Sequence, residues 1–145
     1  WTSSLPTQSF QGLRLRQVNK TMVETVNKID AAAVAAIAAR AADDKQGSNI
    51  IVLYVGDILA ITEMFVVVSA SNSRQLRTIA NEVTAKIREE SDRLLLRSEG
   101  MSEQQWVLLD YGDVIVHIFS EEIREFYEIE RLYQDVPVVD WQAAS

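Results

Sequence analysis

The residues best suited to chemistry lie together in residues 106–119 of the chain. Asp110 and Asp113 are three residues apart with Gly112 between them, and His117 follows in the next apolar run. A histidine with an unperturbed pKa of about 6.5 could act as a general base at neutral pH. However, no serine nucleophile with a supporting acid lies nearby, and two aspartates separated by a turn need not converge. The pattern favours a turn capped by short polar side chains, and a hydrogen-bonded histidine that structures the hairpin or lies at a partner interface.

The composition removes several kinds of site. The 145 residues include no cysteine and one histidine, so disulfides, thiolate zinc sites, cysteine nucleophiles and multi-histidine metal sites are excluded. Hydrophobic residues make up 48% and charged residues 24%, which is typical of a single soluble domain. The longest uncharged run is too short and too rich in alanine to span a bilayer. We expect no membrane segment and no cofactor.

The charge is negative overall and concentrated towards the carboxyl end. The formal net charge is −7, and residues 119–145 carry seven carboxylates against Arg124 and Arg131. An acidic surface repels phosphates, which argues against nucleic acid as the main contact. It suits a basic protein partner, and acidity that serves only solubility is the alternative.

The hydropathy pattern predicts elements in the order α-β-β-α-β-β-β-α, which corresponds to a mixed five-stranded sheet with helices packed on it. The expected strands are apolar or β-branched runs next to turn residues, at 49–55, 64–68, 94–96, 106–109 and 114–119. The last two form a hairpin through Asp110–Asp113. Val114, Val116 and Ile118 should face one side of the sheet, and Ile115, His117 and Phe119 the other.

Three helical regions flank the predicted strands. The first covers about residues 21–42, and Ser71-Asn72-Ser73 offers caps for the second. The apolar face of the second helix comprises Leu76, Ile79, Ala80, Val83 and Ile87. The third is expected over 121–133, with an apolar face of Ile123, Phe126, Tyr127, Ile129 and Leu132, and Pro137 should end regular structure.

The expected domain covers residues 31–140, between an amino-terminal extension and a short tail at 141–145. The chain begins at Trp1 rather than at methionine, so we interpret it as a processed product or a fragment. Residues 1–19 contain serine and arginine but no acidic residue, which is the bias of a transit peptide. A partly disordered tail is the preferred interpretation of the extension, residues 1–30.

The hairpin and the helix after it closely resemble the ribosomal silencing factor family, also called Iojap-related, of bacterial or organellar type. The resemblance covers about residues 32–139. Ser69–Gln75 resembles a further family segment, whereas Glu63, Ala70 or Ser71, and Ile129 depart from the family's usual residues. The residues that match the family pattern are Glu99-Gly100, Trp106, Asp110, Gly112, Asp113, His117, Arg124, Tyr127 and Glu130.

The resemblance implies a nucleotidyltransferase-like fold without transferase activity. Enzymes of that fold hold two metal ions with a Gly-Ser motif and a closely spaced carboxylate pair. Gly47-Ser48 is present, but Asp57-Ile58-Leu59 supplies no second carboxylate two residues on. We therefore expect no enzyme, and keep as the alternative a nucleotidyltransferase-like enzyme acting on a nucleotide or an RNA end. Magnesium-dependent nucleotide binding would distinguish the two.

The resemblance also implies a partner, the large ribosomal subunit, bound through its ribosomal protein fourteen. Binding there would block joining of the small subunit and repress translation when nutrients are short. Trp106 is either a core residue or an apolar anchor at this interface, because tryptophan supplies a large contact area with one polar group. The expected partner-binding residues are Trp106, Asp110, Tyr111, Asp113, His117, Glu121, Glu122 and Glu125.

Three further expectations concern the location, the last helix and the oligomeric state. The expected location is the cytoplasm, or an organellar stroma or matrix if the extension is a transit remnant. On the last helix, Arg124 and Tyr127 should anchor the helix to the sheet. A homodimer with a structural role is a third functional alternative, which light scattering would test.

Overall fold

The computed structural model describes residues 31–142, so the predictions for residues 1–30 lie outside it. Six strands form one sheet within these residues. They are β1 (Ser48–Tyr54), β2 (Met64–Ala70), β3 (Arg97–Glu99), β4 (Trp106–Asp110), β5 (Val114–Ser120) and β6 (Val138–Val139).

The strand order is β3-β4-β5-β2-β1-β6, and the sheet is mixed as predicted. β2 and β5 run parallel at its centre, and every other neighbouring pair is antiparallel. The prediction of five strands is wrong, because β6 adds a sixth beside β1. β6 directly follows Pro137, so regular structure does not end there. A two-residue strand is too short to show an alternating pattern in the sequence.

The third predicted strand is displaced. Leu94 and Leu96 are more than 60% exposed, and only Leu95 packs towards the core. The strand forms instead at Arg97–Glu99, where Arg97 pairs in register with Asp110. Their apolar side chains led the leucines to be predicted as the strand, but backbone pairing with β4 determines which residues form it.

Two helices cover one face of the sheet. Residues 31–44 are helical (α1) and are followed by Gly47, whose N–H donates to the Ala42 carbonyl at 2.9 Å. The second helix, α2 (Ser73–Ser91), begins at the predicted cap, since the Asn72 side chain accepts from the Gln75 N–H at 2.7 Å. Its predicted apolar face is confirmed in full: Leu76, Ile79, Ala80, Val83 and Ile87 are buried.

The last predicted helix is interrupted. It divides into α3 (Glu121–Tyr127) and α4 (Ile129–Leu132), because Glu128 adopts a left-handed conformation at φ 46° and its N–H bonds to the Arg124 carbonyl. The interruption means that α4 does not continue α3 as one helix. Ile123 and Ile129 pack inward, whereas Phe126, Tyr127 and Leu132 are 71%, 54% and 76% exposed, so that part of the predicted apolar face is wrong.

The sheet separates two apolar clusters, as the alternation along β5 predicted. Val114, Val116 and Ile118 contribute to the cluster under α1 and α2, which also receives Trp141 from the predicted tail. The second cluster lies on the opposite face, where α3 and α4 contribute Ile123 and Ile129. Among residues 31–142, no helix has the length and apolar content needed to cross a membrane.

Candidate functional site

The hairpin of β4 and β5 carries three of the predicted site residues, Trp106, Asp110 and His117, to the second face of the sheet. The alternation of side chains along two paired strands brings them together. The cross-strand pairs on this face are Trp106–Phe119, Leu108–His117 and Asp110–Ile115.

The hairpin closes with the predicted polar turn. Gly112 has φ 90°, a conformation that side-chain-bearing residues rarely adopt, and its N–H donates to Asp110 Oδ1 at 2.8 Å. Thr62 reaches the turn from the loop before β2, with its hydroxyl donating to the Gly112 carbonyl at 3.2 Å. The turn is thereby held on both sides, and β4 and β5 keep their register.

Trp106 is half-buried and lies within a row of aromatic rings. Its ring centroid is 4.8 Å from that of Phe119 and 5.1 Å from that of Tyr127. Tyr127 in turn stacks on Phe126 at 5.0 Å. The row therefore runs from a fully buried phenylalanine at one end to a largely exposed one at the other.

His117 lies in the interior, and only 4% of its surface is exposed. The Trp106 Nε1–H donates to His117 Nδ1 at 3.2 Å. Phe65 packs nearly perpendicular to the imidazole, with centroids 4.8 Å apart. Desolvation by burial lowers the pKa of His117 from 6.5 to about 4, so the ring is neutral at physiological pH.

An open groove of about 420 Å³ runs between the end of β3, β4 and α3. Trp106, Leu108, Ile123 and Tyr127 supply its apolar lining. Its polar lining comes from Glu99, Glu103 and Gln105. Among residues 31–142, no lysine or arginine lines it, so two carboxylates accompany an aromatic surface, which suits a partner with basic and apolar groups.

Gly100 lets the chain after β3 approach β4. A Cβ atom at this position would lie 2.0 Å from the Trp106 carbonyl oxygen, and the backbone φ is 87°. Only glycine fits both constraints. This close approach places the adjacent Glu99 at the groove.

Arg124 fixes α3 to the sheet, as predicted. It is 8% exposed, and its guanidinium donates to the Asn49 carbonyl at 2.5 Å and to Ser69 Oγ at 2.8 Å. It also pairs with Glu130 at 3.2 Å. Tyr127 does not anchor the helix in the same way, because it is 54% exposed and contacts Trp106 at the groove.

The two hairpin aspartates are paired within the protein. Asp110 accepts from Arg97 Nε at 3.0 Å, and Asp113 forms an ion pair with Arg93. Their side chains are only 17% and 22% exposed. The structure therefore does not present them as free carboxylates, and each orients its own arginine instead.

The remaining predicted site residues are divided between two places. Tyr111 is 3% exposed and belongs to the cluster under α1 and α2, away from the groove, and burial raises its pKa. Glu121, Glu122 and Glu125 are exposed on α3. The first two lie in the first turn, where carboxylates stabilise the amino-terminal end of the helix dipole.

Sequence reasoning did not assign Glu99, Glu103, Leu108 or Tyr127 to the partner-binding set. A signal existed for Tyr127, since it is four residues after Ile123 and shares a helix face with it. Glu99 matched the family pattern, but nothing in the sequence placed it at the groove, because β3 was expected at the preceding leucines; for Glu103 the sequence held no signal. Their position at the groove depends on the actual register of β3 with β4.

Comparison with known proteins identifies relatives over most of the chain. The family model described as ribosomal silencing factor during starvation matches residues 28–145. The protein named ribosomal silencing factor RsfS in Bacillus subtilis is 35% identical over 104 residues, which are 72% of this chain and 87% of that protein.

A plant relative and a solved structure extend the comparison. The chloroplastic protein Iojap of Zea mays is 28% identical over 120 residues, covering 81% of this chain and 51% of that protein. The crystal structure of a Chromobacterium violaceum protein matches with a TM-score of 0.67 and 32% identity, covering 70% of this chain and 83% of that one. The mixed α/β fold is therefore shared with an experimentally determined structure.

Proposed function

The chain belongs to the ribosomal silencing factor family, and from this membership we propose that it represses translation without catalysing a reaction. In this proposal it binds the large ribosomal subunit through ribosomal protein fourteen and prevents the small subunit from joining, notably under nutrient limitation. Bacterial and chloroplastic relatives support action in the cytoplasm or in an organellar stroma or matrix. The structural observation that carries the proposal is the aromatic groove at Trp106 with its two carboxylates.

The groove has the properties of a protein-docking site. Trp106 is half-buried and its ring contacts that of Tyr127, so a partner can cover its remaining surface. Tryptophan and tyrosine are enriched among the residues that contribute most to binding. Glu99 and Glu103 add negative charge that attracts a basic surface.

The ion pairs of the two hairpin aspartates also agree with a non-enzymatic role. Asp110 and Asp113 are each paired with an arginine rather than set beside each other around an open site. Within residues 31–142, no group of three or more metal-ligating side chains comes together. We therefore propose a nucleotidyltransferase-like fold that is used for binding, with repression by steric exclusion.

The main test is Trp106→Ala. We expect a loss of affinity for the large ribosomal subunit of about thirtyfold, because truncating a central interface tryptophan costs about 2 kcal/mol. The measurement is a titration of labelled protein with purified large subunits, after circular dichroism has shown that the variant is folded. Trp141→Ala is the matched control, since Trp141 packs against the cluster on the other face. Unchanged affinity in folded Trp106→Ala would exclude the groove as the docking site.

A second test addresses the carboxylates at the groove. The double variant Glu99→Gln/Glu103→Gln should associate with the large subunit about threefold more slowly at low salt, because charges at an interface mainly accelerate encounter. The difference should shrink in about 0.5 M salt, where screening shortens the range of electrostatic attraction.

Glu89→Gln/Glu90→Gln removes the same charge from exposed positions on α2 and serves as the control. Stopped-flow fluorescence measures both association rates. Equal slowing in the two double variants would mean that only net charge matters, and would remove the two groove carboxylates from the proposed interface.

A further inference from the structure

His117 was expected to contact the partner or to structure the hairpin, but it lies directly beneath the docking surface. It is 4% exposed, and its ring packs between Phe65 and Phe119, at centroid distances of 4.8 and 6.0 Å. A buried imidazole among aromatic rings needs a hydrogen-bond partner to offset its loss of water. The partner that it has is Trp106, the residue that lines the groove above it.

The hydrogen bond between these two rings has one direction. The indole of Trp106 has a single N–H donor and no acceptor, so the imidazole must accept at Nδ1. A neutral imidazole that accepts at Nδ1 carries its proton on Nε2. Nε2 is buried and has no hydrogen-bond partner among the described residues. The surroundings therefore provide a partner for one nitrogen only, and that nitrogen receives the indole N–H.

This bond selects one orientation of the indole. The contacts of Trp106 with Phe119 and Tyr127 are between rings tilted by 31° and 48°, and such contacts are compatible with more than one rotation of the indole. The torsion that rotates an aromatic ring has broad minima, so packing alone defines it poorly. The bond to Nδ1 directs the pyrrole edge inward, and the rest of the ring lines the groove.

We infer that His117 is a positioning residue that acts through Trp106, holding the indole in its docking orientation without contacting the partner. The inference rests on the proposed function, since it assigns a role within the same docking site. The lowered pKa of His117 agrees with it, because only the unprotonated Nδ1 can accept the indole N–H.

Two substitutions at position 117 separate hydrogen bonding from packing. His117→Leu fills similar space without an acceptor, whereas His117→Asn places an amide oxygen at the same distance from the backbone as Nδ1. We expect His117→Leu to weaken binding of the large ribosomal subunit by about three- to tenfold, the effect of one neutral hydrogen bond. His117→Asn should restore most of that loss. Equal binding by His117→Leu and the wild type would overturn the inference.

A double-mutant cycle tests whether His117 acts through Trp106. Trp106→Phe retains an aromatic ring but removes the indole N–H, so it should weaken binding at least as much as His117→Leu. In the Trp106→Phe background, His117→Leu should then have no further effect. An undiminished effect in that background would show that His117 acts by another route, and would overturn the inference even if His117→Leu binds poorly.

A spectroscopic readout is independent of the ribosome. In a ¹⁵N–¹H correlation spectrum, the Trp106 indole signal is identified by its loss in Trp106→Phe. We expect it to shift and to exchange faster with solvent in His117→Leu, and to stay near the wild-type position in His117→Asn. An unmoved signal in folded His117→Leu would refute the hydrogen bond and with it the inference.

The two proposals can fail separately. If the wild type binds the large subunit and His117→Leu binds equally well despite a shifted indole signal, the positioning role is refuted and the proposed function stands. If the wild type does not bind the large subunit, the proposed function fails, and the docking role of His117 fails with it. If His117→Leu does not fold, Trp106→Phe decides, since wild-type affinity in that variant would also overturn the inference.

Discussion

A single imidazole connects the core of this protein with its surface. His117 is buried among aromatic rings, yet its hydrogen bond within residues 31–142 reaches the tryptophan at the groove. Burial keeps the imidazole neutral, and neutrality is what allows Nδ1 to accept. The protonation state of a core residue is thus coupled to the geometry of a surface residue.

That coupling predicts a pH dependence of stability. The pKa of His117 is about 4 in the folded state and about 6.5 in the unfolded chain. Between these values the unfolded chain binds a proton that the folded protein does not. The free energy of unfolding should therefore fall as the pH decreases through this window, by about 3 kcal/mol in total from this group. Above pH 6.5 the group should have no effect.

Urea unfolding at pH 7, 6 and 5 measures this dependence. His117→Asn is the control, because it removes the only histidine in the chain and retains an acceptor for the indole. Any slope that remains in this variant comes from carboxylates. Identical slopes for the wild type and His117→Asn would contradict the pKa shift.

At the scale of elements, the short connection after β3 decides whether the groove exists. Gly100 approaches the Trp106 carbonyl so closely that no side chain can be added without moving one of the two strands. Gly112, in the hairpin turn, has a similar φ but more space, since a Cβ there would lie 3.4 Å from the end of the Leu96 side chain. The two glycines therefore share a positive φ but differ in the space available for a Cβ atom.

We expect Gly112→Ala to destabilise the protein by about 1–2 kcal/mol through its positive φ alone. Gly100→Ala should cost more, because the new methyl group also collides with a backbone oxygen. It should also reduce binding of the large subunit, since Glu99 and Trp106 would separate. Thermal unfolding and the subunit titration measure the two effects. A Gly100→Ala variant as stable as Gly112→Ala would contradict the close approach.

At the scale of the whole molecule, the sheet separates the larger core from the face that carries the proposed docking groove. One face is covered by α1 and α2 and forms the larger core. The other face is covered in part by α3 and α4, and between α3 and β4 it leaves an aromatic, acidic groove. The formal net charge of −7 adds a long-range attraction between the chain and a basic partner.

Repression by exclusion predicts stoichiometric inhibition. Each bound copy blocks one large subunit and no turnover is involved, so subunit joining should decrease in proportion to added protein until one copy per large subunit is present. Sedimentation of reassociated subunits measures this, without added nucleotide. Trp106→Ala should not inhibit at the same concentrations. Substoichiometric inhibition would instead indicate catalysis and would contradict the proposal.

Local signals in the sequence determined the parts of the fold that depend on neighbouring residues. The apolar face and amino-terminal cap of α2, the hairpin turn and the two-sided alternation of β5 were all predicted correctly. Each depends on residues a few positions apart, where helical or strand periodicity and side-chain capping operate. The anchoring role of Arg124 was also predicted, although its partners Asn49 and Ser69 could not be.

The tertiary structure decided the features that depend on contacts between residues distant in the chain. The register of β3 with β4 places the strand after the leucines and places Glu99 at the groove. The short strand β6 forms by pairing with β1 at the edge of the sheet. Tyr127, at the end of α3, is exposed and contacts Trp106 rather than being buried. The sequence identified Trp106 and His117 as informative residues, but only packing of the sheet showed that one lies beneath the other. A side chain's periodicity indicates which face it occupies, whereas its depth and hydrogen-bond partner depend on everything packed against that face.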